Sequence, residues 1–294
     1  MKIILTNDDM ATTYGFSDAI HDSYTYGVAT NTSIRTNGAA YAYSKKLINK
    51  KPTKIGIGLH INLTQGPCYE RKLSNNSGNY KYNFAGYCFQ LFCRKNNNLL
   101  RIISKDIEAQ FKIIKKDNLK IDHISGHDHI HMIPPIFRIV CKLCQKYHIR
   151  NIRFCREPFY TTGSLFYEIK AYINGNIIKH WLLNEFARVN HKTLNKYNLK
   201  TTDCFYGILH TNMISTKSII SSIDDAKRRK FNSIEILSHP AYPNHPKDKK
   251  YLDKTIAWYS NLPQRNIEAK VMKDKILRKY LLTNHLLLVS YKEI

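Results

Sequence analysis

Short apolar runs alternate with amphipathic stretches along nearly the whole chain. Residues 2–6 (KIILT) are apolar, β-branched and brief, which predicts a buried strand. Residues 17–27 predict a helix, with Ser17 as its N-cap and Gly27 as its stop. Residues 28–36 suit a second strand, residues 40–50 a helix of mixed polarity, and residues 55–63 (IGIGLHINL) a third strand. Residues 68–98 show no periodicity and read as a long excursion over the functional face or a partly mobile lid. Residues 99–117 return to helical spacing, with Ile102, Ile103, Ile107, Phe111 and Ile114 on one side and mostly charges on the other. The pattern continues with a helix over 135–148, a strand over 149–155, a strand over 204–210, a helix over 216–228 and a strand over 232–238. Helices over 251–260 and 266–281 and a closing strand over 286–291 complete it. Residues 159–200 are aromatic and basic, with only weak helical signals.

This alternation, with no linker and no internal repeat, predicts an α/β fold in one domain spanning residues 1–294. The sheet is expected to be mainly parallel and closed or partly closed into a barrel. In such folds the carboxyl ends of the strands form the functional face.

Composition narrows the picture only slightly. Hydrophobic residues make up 43% of the 294, enough for a sizeable core, and no apolar run approaches the length of a membrane span. The N-terminus (MKIILTNDDM) turns acidic at once and lacks the pattern of a secretory signal. Seven cysteines at irregular spacings argue against a disulfide framework, so a reduced, cytoplasmic protein is expected. Cys141 and Cys144 form a lone C-x-x-C on an apolar helix face, which reads as packing. The net charge of +24 would attract polyanions, but its lysines are spread along the chain beside abundant Asn, Ile and Tyr. That reads as compositional drift over a solvated surface rather than a nucleic-acid footprint.

The candidate chemistry gathers at expected strand ends. Residues 121–135 (IDHISGHDHIHMIPP) hold His123, His127, His129 and His131. If this segment is a strand or strand end, His127, His129 and His131 share one face. Asp8 and Asp9 follow the first strand, where adjacent buried carboxylates are costly unless a cation or a proton accompanies them. A turn or an N-cap pair is the plainer reading of the same two residues. His60 lies in an apolar run, where a lone histidine is most often a core residue, and His239 ends the strand over 232–238.

Taken together, these segments resemble the YdjC-like carbohydrate deacetylases, which include chitooligosaccharide deacetylases. The matching stretches are LTNDD at 5–9, GIGLHINLTQG at 56–66, HISGHDHIHMIPPIF at 123–137, IRFCREP at 152–158 and EILSHPAY at 235–242. They occur in the family's order and cover nearly the whole length, while residues 159–200 match poorly. The resemblance implies a distorted or incomplete (β/α) barrel and a divalent metal, usually magnesium, with zinc or manganese also compatible. It implies Asp9, His60 and His127 as metal ligands, Asp8 as catalytic base and His239 as general acid. Arg156, His129 and His131 are expected to face substrate. A homodimer is compatible with it. Two departures stand out: Ser125 replaces a usual Asp that could orient a histidine ligand, and Met10 replaces a usual Phe.

The expected reaction is hydrolysis of an N-acetyl group from an amino sugar or oligosaccharide. Three other readings compete with it: a metal-dependent phosphoesterase, a carbohydrate-binding protein without catalysis, and a nucleic-acid-binding protein. The last has the net charge behind it but no recognisable readout motif.

Overall fold

The sheet is assembled around its first strand, β1 (Lys2–Met10), which is buried from Ile3 onward. The computed structural model describes residues 1–49, 55–163, 169, 175–250 and 253–294. Residue 50 of the expected helix over 40–50, residues 164–168 and 170–174 of the aromatic basic stretch, and residues 251–252 lie outside the described residues. Strands β2 (Asn31–Ile34), β3 (Gly56–Ile61), β4 (His123–Gly126) and β5 (Asn151–Ile152) follow on one side of β1. On its other side lie β7 (Ser233–Ser238) and then β6 (Cys204–Tyr206), giving the order β5-β4-β3-β2-β1-β7-β6 with every pair parallel. The last strand, β8 (Leu287–Leu288), pairs with Lys2 and Ile3, whereas β2 pairs with Thr6 to Met10.

The two outer strands approach one another through backbone bonds around Lys200. Lys200 N donates to Arg150 O at 2.8 Å, Ile152 N to Lys200 O at 3.0 Å, and Phe205 N to Arg156 O at 3.0 Å. The sheet therefore curls into a distorted barrel.

The helices are α1 (Tyr14–Thr25), α2 (Tyr41–Asn49), α3 (Phe84–Cys88), α4 (Asn97–Lys116), α5 (Pro134–Lys146), α6 (Asn176–Lys196), α7 (Thr216–Arg228), α8 (Lys254–Ser260), α9 (Pro263–Val271) and α10 (Lys275–Thr283). Helix α4 buries Ile103, Ile107, Phe111 and Ile114 as expected, and leaves Ile102 only half-buried. It also buries Asp106 and Gln110, which its apolar pattern does not announce. Asp106 accepts bonds from Tyr69 N (2.8 Å), Glu70 N (2.9 Å) and Tyr80 Oη (2.6 Å), and this pins the excursion over 68–98 to the barrel wall.

Several expectations need correction. The cap of α1 is Thr13, not Ser17, which is buried and donates to Thr13 O at 2.8 Å. The expected strands over 149–155 and 286–291 shorten to two residues each. The helix expected over 266–281 is two helices, because Met272 O is drawn off to accept Val28 N and Asp274 caps a new start by accepting Ile276 N.

The interior of the barrel is ionic. Arg153, just past β5, is fully buried and forms a two-bond pair with the carboxylate of Asp8, the Nη2–Oδ1 bond measuring 3.0 Å. The same guanidinium donates to Glu235 of β7 through Nη2 at 2.7 Å and Nε at 3.1 Å, and Tyr291 Oη donates to Glu235 at 2.5 Å. Removing one member of such a buried network leaves an uncompensated charge and costs about 3–5 kcal/mol. The network therefore holds Asp8 in one orientation.

Candidate active site

Strand residues normally alternate between faces, so Asp8 and Asp9 would point to opposite sides of a regular strand. Here the β1–β2 register shifts between Asn7 and Met10, and Asp9 adopts φ = +70°. Asp tolerates that left-handed conformation better than most residues do. The result is that both carboxylates flank one imidazole: Asp8 Oδ1 lies 3.9 Å from His60 Nδ1, and Asp9 Oδ1 lies 3.5 Å from His60 Nε2.

Two hydroxyls orient that imidazole. Ser33 Oγ donates to Asp8 Oδ1 at 2.6 Å, so it presents a lone pair to His60 Nδ1 at 2.9 Å. Ser125 Oγ is 2.8 Å from the same nitrogen. This chain assigns the proton to Nδ1 and leaves the Nε2 lone pair facing Asp9. Ser125 thus keeps an orienting contact to His60 without a carboxylate's charge.

The histidine run does not form one face. After β4 the backbone tightens into a 3₁₀ turn over His127–Met132, with φ of +53° at Asp128 and +59° at His129. Gly126 permits the fold-back, since a Cβ there would meet His131 Nδ1 at 2.8 Å. The three side chains separate: His127 Nδ1 goes to Asp9 Oδ1 at 2.9 Å, His129 Nδ1 to Cys155 Sγ at 3.3 Å, and His131 Nε2 to Arg153 O at 3.1 Å.

Asp9, His60 and His127 offer ligand atoms that all lie within 4.8 Å of one another, the one such group of His, Cys, Asp or Glu among the described residues. Asp9 Oδ2 is taken by Tyr259 Oη at 2.5 Å, but Asp9 Oδ1 is buried with no hydrogen-bond partner. Its 2.9 Å approach to His127 lacks the N–H alignment of a hydrogen bond. A buried carboxylate oxygen that has only the Arg35 guanidinium at 3.6 Å besides two ring nitrogens, and no hydrogen bond, fits a metal ion. The buried Asp/His/His group can therefore bind one.

A cavity of about 250 Å³ opens over this group, and Asp8, His60, His127, His129 and His239 are among its walls. The backbone N–H of His239 donates to Glu268, while its ring Nδ1 stays 3.9 Å from that carboxylate. Arg265, buried in the cavity wall, stacks its guanidinium 4.3 Å over the Tyr259 ring. Two of the residues expected to face substrate do not line the cavity. Arg156 is exposed and donates to Asp203 O at 2.5 Å, outside the cavity walls, and His131 is fully buried behind them. Sequence reasoning does not single out Arg153 and Glu235, although charges inside two otherwise apolar strands are a usable signal. Nothing in the local sequence marks Tyr259 or Arg265.

A family model for YdjC-like protein matches residues 2–283. The chain belongs to the YdjC-like protein family. Curated relatives include a carbohydrate deacetylase of Brevibacillus brevis, 23% identical over 302 residues and covering 100% of each chain. A carbohydrate deacetylase of Xenopus laevis is 24% identical over 322 residues, covering 100% of this chain and 98% of that one. A crystal structure of an Enterococcus faecalis protein named for cellobiose-phosphate cleavage shares the fold, with a TM-score of 0.72 at 18% identity over 99% of this chain and 98% of that one. In this YdjC-like chain no helix among the described residues is long and apolar enough to cross a membrane.

The electrostatics of the YdjC-like site carry a pH prediction. Burial would raise Asp8 and Asp9. Arg153 and His60 more than offset this at Asp8, as His127, His60 and Arg35 do at Asp9, so both stay below the usual carboxylate range. Burial pushes His60 down to about 4 and His131 and His239 to about 3, and it also lowers His129 and His180. Unfolded imidazoles protonate near pH ~6.5, so below that pH the unfolded chain binds the extra protons and stability falls. Glu157, raised by burial to about 7, opposes this between its unfolded and folded pKa values, as do Asp106 and Glu268, but three carboxyl groups face five imidazoles. Melting temperature should therefore drop steadily from pH 7.5 to pH 5. A flat or rising Tm over that interval would show that the imidazoles are not held neutral.

Proposed function

We propose that the protein is a metal-dependent hydrolase that removes the N-acetyl group from an acetylated amino sugar or oligosaccharide and releases acetate. The observation that carries this reading is the buried Asp9–His60–His127 group beneath a cavity that Asp8 and His239 also line. The deacetylase names of the full-length relatives support the same reaction. A divalent ion held by these three residues would supply a polarised carbonyl and a water of lowered pKa. Two imidazoles and one carboxylate suit zinc or manganese better than magnesium, which prefers oxygen ligands.

The chain's own residues would manage the protons. In the reaction the acetamide C–N bond breaks, the acyl carbon takes the oxygen of water, and the leaving nitrogen takes a proton. Asp8 is kept ionised by Arg153, the form that accepts a proton, and its two-bond clamp fixes the direction in which it does so. Burial and then Arg265 push His239 down to about 3, so it would receive the proton that Asp8 takes from water and pass it to the amine nitrogen. All seven cysteines are free, which fits a reducing cytoplasm.

A phosphoesterase would normally use two adjacent ions, and among the described residues only one three-ligand group is present. The deciding assay is a panel of N-acetylated sugars scored for acetate release, with and without a chelator. Acetate should appear from at least one sugar and stop on chelation. Phosphate release from sugar phosphates with no acetate from any member would replace this reading with the phosphoesterase.

A further inference from the structure

Exposed aromatics are ordinary on protein surfaces. What distinguishes Trp258 is where it is held. It lies on α8, is 66% exposed, and borders the same cavity as Asp8 and His239. Its neighbour Tyr259 turns inward, with its hydroxyl on Asp9, its ring stacked on Phe16 at 5.6 Å and the Arg265 guanidinium above it. Two residues earlier, Ile256 is buried against Gly66, where a Cβ would lie 3.4 Å from its Cδ1. Asp253 caps the helix by accepting Thr255 N at 2.7 Å, and it ties the helix to the excursion by accepting Asn79 Nδ2 at 2.5 Å. The backbone under the indole is therefore fixed before any ligand arrives, which reduces the entropy lost on binding.

The chemistry around it is that of a sugar site. A pyranose ring presents a C–H face that suits an aromatic plane, and hydroxyls at its rim that need polar partners. Lys179, Thr211 and Asn212 line the cavity and offer such partners. Asn176 Nδ2 steadies that wall by donating to Leu209 O at 3.1 Å and Thr211 O at 3.3 Å. The cavity's volume of about 250 Å³ is at the small end for a ligand site, below the ~300 Å³ typical of drug-sized pockets. One ring with its acetamide fits such a space, and the next ring would fall at the lip.

We propose that Trp258 is the stacking platform for the sugar ring next to the one that carries the reacting acetamide. It is thus a specificity-determining residue that favours a disaccharide over a monosaccharide. This rests on the deacetylase reading above.

Two measurements test it separately from that reading. The first compares kcat/KM for N-acetylglucosamine and its di-N-acetylated disaccharide. Trp258→Ala should shrink the disaccharide's advantage by on the order of tenfold, through KM, and Trp258→Phe should restore most of it. An unchanged ratio overturns the proposal. The second uses fluorescence. The chain has two tryptophans, and Trp181 lies exposed on α6 outside the cavity walls. In an Asp8→Asn, Trp181→Phe protein, Trp258 is the sole emitter and the ligand is not consumed. Its emission should shift and saturate with the disaccharide at a concentration at least about tenfold below that needed for the monosaccharide. No shift up to the solubility of the disaccharide overturns the platform. If the wild-type protein releases no acetate from any sugar of the panel, the deacetylase reading fails, and the emission shift still decides the role of Trp258.

Discussion

Asp8→Asn should slow acetate release sharply and leave metal content unchanged. General base catalysis contributes roughly 10²–10⁴-fold, and turnover should fall by that factor. The substitution is nearly isosteric. Arg153 retains its three bonds to Glu235, so the barrel interior keeps a charge partner. Asp9, His60 and His127 are untouched, so metal content after dialysis should match the wild type. Turnover at wild-type rate would remove Asp8 from the mechanism. Loss of metal together with activity would instead show that Asp8 helps to hold the ion.

His60→Ala and His127→Ala should each lower metal content and activity together. Each removes one of three ligands, and Asp9 Oδ1 is left facing a single imidazole. A three-ligand site reduced to two should lose most of its metal on dialysis, and acetate release should fall by about 10³-fold or more. The two variants differ in a useful way. His60 is clamped by Ser33 and Ser125 within the sheet, so its loss also disturbs packing. His127 sits on the turn after β4, buried at 5% exposure with its ring edge-on to His60 and Tyr259, so its loss should lower Tm through the turn rather than the sheet. Unchanged metal stoichiometry in both variants would refute the ligand assignment.

How much of this could be read from the sequence depends on how local the cause was. The helix over 216–228 coincides with α7, because Ser215 and Ser218 form a reciprocal cap at its start and an apolar stripe follows. The buried face of α4 follows from its spacing for the same reason. The condition for a shared histidine face is not met, because alternation holds only while the backbone stays extended. Two left-handed residues, Asp128 and His129, send its three rings to different partners. The helix over 266–281 divides because Val28, distant in sequence, donates its N–H to the carbonyl of Met272.

By itself the sequence determined the alternating α/β pattern, the order of the acidic and histidine-bearing segments, and hence the kinship they carry. These follow from periodicity and from residue types at given spacings, which need no distant contact to be read. Only the tertiary structure decided that Asp9 bends out of register to meet His60 and His127. It alone decided that Arg153 grips Asp8, and that Ser125 still steadies His60 without the family's usual carboxylate. Each of those outcomes depends on which strands become neighbours when the sheet curls. A buried charge must then pair with whatever group that closure brings within reach.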